Sequence, residues 1–226
     1  MFTGFPEATL QFFLDIRFHN EKSYFEEHRA RYERDVKAPF HAFIEQLAPE
    51  MRRIDPLMEV RPYKCLARIH RDTRFSRDKS PFRDHLWLCF RRAAEPREGS
   101  VNFFFELGLN SLSWGMGTWG ENRPMMDVFR RRMAANPGEI KRILTGVNFP
   151  ANDFIPSGSN WKRMEIPASV PPELHDWYTL REVYIGRGHP DMGLMHDPRL
   201  ADVVLEDFRK LAPVYELLRG AADEAK

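Results

Sequence analysis

The segment Arg68–His85 concentrates residues whose types and spacing could do chemistry. Its sequence, RIHRDTRFSRDKSPFRDH, contains six Lys or Arg, three Asp and two His. Arginines stand at every third position from Arg68 to Arg77, so an extended chain would point them to different sides. A curled loop would bring them together, and converging guanidinium groups are suited to bind phosphate, sulfate or carboxylate.

The surplus of cations over carboxylates leaves two interpretations open. In the first, the loop binds a small anionic ligand, and its Asp residues orient the cations. The candidate ligand-binding residues are Arg68, Arg71, Asp72, Arg74, Asp78, Lys79 and His85. In the second, the Asp residues neutralise the Arg residues in an internal salt-bridge network, and the protein is a structural or protein-interaction domain. An acid–base role for Asp72 or His85 stays open, so the sequence does not decide whether the protein is an enzyme.

Nucleic-acid binding is disfavoured by the charge distribution. Residues 61–97 hold 11 Lys or Arg against 4 Asp or Glu, although the whole chain has a net charge of only +1. The flanking segments are acidic and would repel a polyanion, since residues 1–60 hold 8 basic against 11 acidic residues and residues 171–226 hold 7 against 11. Basic nucleic-acid-binding domains usually have a pI above about 9, whereas the pI of this chain is about 7.9.

Neither a metal site nor a cofactor is predicted. Cys65 and Cys89 do not form the CxxC pair of a zinc ribbon. The glycines of SWGMGTWG, at 115, 117 and 120, lead from a predicted strand into a loop without a Lys, so close sheet packing is favoured over a phosphate-binding role. No apolar run approaches the roughly 18 residues of a membrane span. The start of the chain lacks the features of a signal peptide, so a cytoplasmic location is predicted.

Hydrophobic periodicity divides the chain into five segments. They are residues 1–60, helical; 61–117, rich in strands; 118–147, helical; 148–172, a long loop; and 173–226, a strand plus a terminal helix. Alternating apolar residues predict paired strands over 63–71 and 85–91, which makes residues 72–84 their connection. Phe75 and Phe82 are expected to fix this connection to the body.

Local signals also predict individual helix ends, one helix face and two β features. Asn20, Asn122 and Asn136 are expected to cap helices, and Gly146 is expected to end one. Residues at helical spacing predict a buried helix face formed by Phe40, Phe43, Ile44 and Leu47. The stretch LGLNS predicts a hairpin turn, and YTLREVYIG predicts a strand over 178–186.

Helices, then consecutive strands, then helices indicate an α+β fold. We predict a single domain over residues 1–226, in which the N- and C-terminal helices cover an antiparallel sheet of about four to five strands. The last segment contains too little apolar sequence for a separate core.

Several stretches of the chain resemble a known family. They are FTGFP near the start, FHNEKSYFEEHRARY after it, RIHRDTRFSRDKSPFRDH, and glycines near 115–117 followed by RPMMDVFRRRM. These stretches are similar to domain of unknown function 2461 over roughly residues 2–135. The resemblance implies a soluble, mostly bacterial α+β protein with no established activity, cofactor or catalytic residue. His70 occupies a motif position that is commonly aromatic in that family, which counts against a metal-binding role.

Overall fold

The computed structural model describes residues 1–226. The helices are α1 (Glu7–Phe18), α2 (Lys22–Glu27), α3 (Arg29–Arg31), α4 (Ala38–Ile54), α5 (Pro62–Cys65), α6 (Arg123–Ala135), α7 (Pro137–Val147), α8 (His175–Thr179) and α9 (Leu200–Glu224). A π-helical segment covers Tyr32–Lys37, and 3-10 helices cover Pro150–Asn152, Pro172–Leu174 and Met192–His196. The strands are β1 (His85–Phe90), β2 (Val101–Gly108), β3 (Ser111–Thr118), β4 (Ile155–Ser157) and β5 (Tyr184–Gly188).

The five strands form an antiparallel sheet in the order β1-β2-β3-β5-β4. A two-residue turn, Leu109 and Asn110, joins β2 to β3 at the predicted hairpin position. In the β4–β5 pair, Ile155 lies opposite Gly186. The predicted α+β fold, with an antiparallel sheet and helices at both ends of the chain, is confirmed. None of the helices combines the length and the apolar character that crossing a membrane requires.

Contacts between residues group the chain into two compact units. The first comprises Met1–Phe90, Phe104–Trp114 and Gly188–Glu206, and the second comprises Arg91–Phe103, Gly115–Arg187 and Asp207–Lys226. The organisation of residues 1–226 as a single domain stays a prediction.

In the first unit, an aromatic core lies between α4 and β2. Helix α4 buries the apolar face that its sequence predicts, formed by Phe40, Phe43, Ile44 and Leu47. The ring of Phe43 lies 4.6 Å from that of Phe105 in β2. Full burial of one such side chain stabilises a fold by about 1.5–3 kcal/mol, so this contact fixes the helix on the sheet.

The segment before the charged loop is not the regular strand predicted over residues 63–71. Pro62 instead begins helix α5, because its fixed φ and its missing N–H suit a first helical position. Beyond α5 the chain pairs with β1 only locally: Leu66 lies opposite Leu88, and the N–H of Ala67 donates to the carbonyl of Trp87 at 2.9 Å. The strand prediction is therefore wrong in its extent, although the pairing partner is right.

In the second unit, Asn122 and Asn136 cap α6 and α7 as their positions suggest. Each side chain accepts a hydrogen bond from a backbone N–H of the first turn, at 3.1 and 3.3 Å respectively. Helix α7 ends at Val147 rather than at Gly146, which the sequence suggested. Asn148 follows it in the left-handed region, with φ at 47°, a conformation that asparagine tolerates at helix ends.

The region from residue 148 to residue 188 contains more regular structure than predicted. Strand β4 lies inside the expected loop 148–172, and α8 occupies the start of the strand expected over 178–186. Gly115 and Gly117 of β3 allow β5 to approach, since a Cβ at either position would overlap a backbone carbonyl oxygen of β5 or of the residue before it. Close sheet packing, the favoured interpretation of the glycines at 115, 117 and 120, is confirmed for Gly115 and Gly117, whereas Gly120 lies beyond the end of β3 with φ at 77°.

Candidate functional site

The charged loop forms the end of a hairpin that begins beside β1. His70 lies opposite Phe82, and the N–H of Arg71 donates to the carbonyl of Pro81 at 2.8 Å. The pairing therefore extends further than the sequence suggested, and the unpaired tip comprises residues 72–80. All seven predicted ligand-binding residues lie on this hairpin, with His85 at its base and the others closer to the tip.

The side chain of Asn20 anchors the base of the tip. Its Oδ1 accepts from the N–H of Phe82 at 2.9 Å, and its Nδ2 donates to the carbonyl of Phe82 at 3.0 Å. The Phe82 ring is buried and stacks on Phe25 with their centroids 4.4 Å apart. Asn20 was expected to cap α2, and that prediction is wrong, because Glu21 holds the cap position without a side-chain hydrogen bond.

Only one of the two phenylalanines expected to fix the loop does so. Phe82 is buried, whereas Phe75 at the tip is 94% exposed. The guanidinium of Arg74 lies 5.7 Å from the centroid of the Phe75 ring. The tip therefore presents an aromatic ring and a cation together on its surface.

Two ion pairs lie at the tip. Arg71 pairs with Asp78, and Nη2 of Arg74 lies 2.7 Å from Oδ2 of Asp72. Hydrogen bonds from Arg74 lower the pKa of Asp72 from its ordinary 3.8 to about 2. The hydrogen bond from Arg71 is the largest of the effects that lower the pKa of Asp78. Both carboxylates therefore remain ionised at neutral pH.

Further hydrogen bonds fix the backbone of the tip. Oδ1 of Asp78 accepts from the backbone N–H and the hydroxyl of Ser80, at 2.9 and 2.6 Å. Nζ of Lys79 donates to the carbonyl of Thr73 at 2.8 Å. Arg83 donates to the carbonyl of Arg68 at 2.8 Å. The bonds of Lys79 and Arg83 tie the two sides of the hairpin to each other, and those of Asp78 fix one side, so the loop has its own internal support.

Positive charge remains after these pairs are formed. Arg68 and Arg77 are exposed and make no ion pair, and Lys79 bonds only to a carbonyl group. The side-chain exposures of Arg74 and Asp72, 77% and 56%, place this pair in solvent as well. The predicted residues therefore form an open cationic surface, and its charges are not buried in the body of the protein.

His85 belongs to a cluster that the sequence did not reveal. Its Nδ1 lies 3.2 Å from Oδ1 of Asp84, and Nε of Arg17 donates to Oδ2 of Asp84 at 2.6 Å. Burial raises the pKa of Asp84, but the hydrogen bonds from His85 and Arg17 outweigh it and leave that pKa below its ordinary value. Because Arg17 and Asp84 are 67 positions apart, no local pattern could have identified their contact.

No group of three or more His, Cys, Asp or Glu side chains is arranged to hold a metal ion. The fold and the site thus define an α+β protein with an internally cross-linked, cationic surface loop. The family described as conserved hypothetical protein (DUF2461) matches residues 8–217, and the chain belongs to this family. The resemblance seen in the motifs is confirmed. Comparisons with curated proteins and with solved structures gave no match.

Proposed function

We propose that the protein recognises an anionic group, such as a phosphate, sulfate or carboxylate, at the charged loop 68–85. The observation that supports this most is the exposure of Arg74, Arg77 and Lys79 on a backbone held by its own hydrogen bonds. A binding surface whose backbone is already fixed loses little conformational freedom on binding, and this favours affinity.

The loop also contains donors that an incoming anion can reach without breaking an ion pair. Asp72 and Asp78 each occupy one arginine, while Arg77 has no carboxylate partner and Lys79 is bonded to a neutral carbonyl. Hydrogen bonds between a guanidinium or ammonium group and an anion are stronger than those between neutral groups. The unoccupied charge of Arg77 is therefore the first contact expected for a ligand.

The exposure of the loop favours an organic anion over an inorganic ion. At physiological salt, exposed charges are screened beyond about 8 Å, so an isolated ion gains little at such a surface. Phe75 offers an apolar ring beside Arg74, and an inorganic ion cannot use that contact. We therefore propose that the anionic group is attached to a planar or apolar moiety.

The alternative function is an interaction or structural domain in which the charges only neutralise one another. The pairs Arg71–Asp78 and Arg74–Asp72 favour it, because they use both carboxylates of the tip. Had these pairs been buried, Asp72→Ala would cost several kcal/mol. Since the two pairs are exposed, Asp72→Ala should cause only a small loss of stability under either function. The effect of an added anion on stability therefore distinguishes the two functions better than this substitution does.

Thermal melting in phenyl phosphate, compared with chloride at equal ionic strength, tests the proposal. A ligand that binds only the folded protein raises stability by RT ln(1 + [L]/Kd). We expect millimolar phenyl phosphate to raise Tm more than inorganic phosphate does, and we expect Arg77→Glu and Arg74→Glu to abolish the rise. Arg142→Glu, at an exposed arginine of α7, is the matched control and should keep it. An equal rise in the loop variants and the control would refute the proposal.

A titration with a 20-mer oligonucleotide tests nucleic-acid binding, which the charge distribution of the chain disfavours. We expect no measurable binding of single-stranded or duplex DNA at physiological salt, because the segments on either side of the basic stretch are acidic. Each phosphate contact changes log K by roughly 0.7–0.9 per tenfold change in salt. Submicromolar affinity with a salt slope equivalent to several contacts would make nucleic acid the better assignment.

A further inference from the structure

One face of strands β1, β2 and β3 carries half-buried polar side chains at the end of the strands nearest the turn between β2 and β3. Alternate residues of a strand point to opposite faces of the sheet. The core face holds the fully buried Leu86, Leu88, Phe105, Leu107, Leu112 and Trp114. The opposite face holds the half-buried His85, Trp87, Glu106, Ser111 and Ser113 and, further along the strands, the buried Cys89 and Phe104. These residues lie on three neighbouring strands of the first unit.

Gly108 lies in close contact with His85 and Ser111 on this face. A Cβ built on Gly108 would lie 3.1 Å from Cβ of His85 and 2.7 Å from the hydroxyl oxygen of Ser111, so a side chain at this position would require these neighbours to shift. The hydroxyl of Ser111 therefore lies close to His85. Glu106 on the same face makes no hydrogen bond or ion pair.

The contacts of His85 fix which of its ring nitrogens carries the proton. Nδ1 faces a carboxylate oxygen of Asp84, and the other oxygen of Asp84 accepts from Arg17. An ionised carboxylate can only accept hydrogen bonds, so Nδ1 must be the donor. In the neutral ring, Nε2 then has a free lone pair. The His85 side chain is 39% exposed, which allows a ligand or water to reach the ring.

We propose that His85 is a general base, which accepts a proton at Nε2 from a hydroxyl-bearing ligand or from water bound on this face. The O–H bond breaks, the proton forms an N–H bond at Nε2, and the oxygen keeps the electron pair. The resulting imidazolium donates from Nδ1 to Asp84 in a charge-assisted hydrogen bond. Asp84 and Arg17 act as positioning residues, and Glu106 and Ser111 supply hydrogen-bonding groups for hydroxyls.

This role is independent of anion binding at the tip. It requires the Asp84–His85 contact and the exposed imidazole ring, whereas anion binding requires Arg77 and Lys79. Either assignment can therefore fail while the other holds.

Long-range ¹H–¹⁵N correlation spectra of the full chain with labelled histidine measure the tautomer of His85 directly. We expect the Nδ1–H form in the unmodified protein and a shift towards the Nε2–H form in Asp84→Asn, whose amide can donate to Nδ1. Asp84→Glu, which retains a carboxylate, should restore the Nδ1–H form. Asp72→Asn at the loop tip is the matched control and should leave the tautomer of His85 unchanged. His85→Gln identifies the signal, and an Nε2–H tautomer in the unmodified protein would overturn the proposal.

Reaction with diethylpyrocarbonate tests whether Nε2 is available as an acceptor in solution. This reagent acylates an unprotonated imidazole nitrogen, and peptide mass spectrometry locates the product. We expect carbethoxylation of His85 to be severalfold faster in the unmodified protein than in Asp84→Asn, with the Asp72→Asn control unchanged. If Asp84→Asn folds normally and reacts at the same rate as the unmodified protein, the positioning role of Asp84 is contradicted.

Discussion

Replacing Asn20 by alanine tests how the candidate loop is anchored. The amide of Asn20 donates to the carbonyl of Phe82 and accepts from its N–H, at 3.0 and 2.9 Å. Phe82 is only 2% exposed, so water replaces neither partner easily. Asn20→Ala therefore leaves two backbone groups of one buried residue without their hydrogen bonds.

The expected cost follows from these two bonds. Each hydrogen bond contributes about 0.5–1.5 kcal/mol net, so the variant should lose about 1–3 kcal/mol of its free energy of unfolding. For a domain of this size, 1 kcal/mol corresponds to roughly 2–4 °C in Tm, and the middle of the range predicts a fall of roughly 4–8 °C.

Urea unfolding followed by tryptophan fluorescence measures the loss. We expect the midpoint of Asn20→Ala to fall at an unchanged m-value, since the folded state stays compact. Native-state hydrogen exchange should show faster exchange of the Phe82 amide. Asn160→Ala is the matched control, because its side chain donates one exposed hydrogen bond, to Thr179 at 3.0 Å, and should cost less than about 0.5 kcal/mol. If the two variants unfold at the same urea concentration, the anchoring role of Asn20 is wrong.

Two further substitutions address the sheet and the loop. Gly115→Ala should lower the free energy of unfolding by about 1–3 kcal/mol or more, because the new methyl group would overlap the carbonyl oxygen of Ile185. Urea titrations measure this loss. Gly188→Ala is the control and should have much less effect, because no atom lies within 4 Å of its new Cβ. The pKa of Asp72 is lowered from 3.8 to about 2 by Arg74, so its contribution is complete above its ordinary pKa and disappears as pH falls through about 2. The Tm of Asp72→Asn should therefore lie below that of the unmodified protein at pH 7 and meet it near pH 2, and a pH-independent difference would contradict the ion pair.

The sequence predicted the elements that depend on local signals. The caps Asn122 and Asn136 precede helices because each side chain bonds an amide only three residues away. The buried face of α4 follows from its helical periodicity. In contrast, Asn20 has the residue type of a cap, but its side chain is hydrogen-bonded to the backbone of Phe82, 62 positions later. The residues around Asn20 in the sequence give no indication of that contact.

The site was predictable in charge but not in geometry. The composition of residues 68–85 indicated a surplus of cations over carboxylates, and the ion pair of Asp72 and Arg74 joins residues only two positions apart. The proximity of His85 to the hydroxyl of Ser111 depends on how β1, β2 and β3 are aligned, and strand register is a property of the whole sheet. Phe75 was expected to fix the loop to the body, but its side chain is 94% exposed.

The two outer strands of the sheet offer little backbone to a neighbouring chain. Part of the outer edge of β1 is already used by Leu66 and Ala67. Strand β4 is three residues long, and Pro156 at its centre has no N–H to donate. Since unpaired strand edges are templates for intermolecular β-structure, we expect concentrated solutions of the folded protein to resist fibril growth, and heat-induced aggregates to form only from chains that have first unfolded.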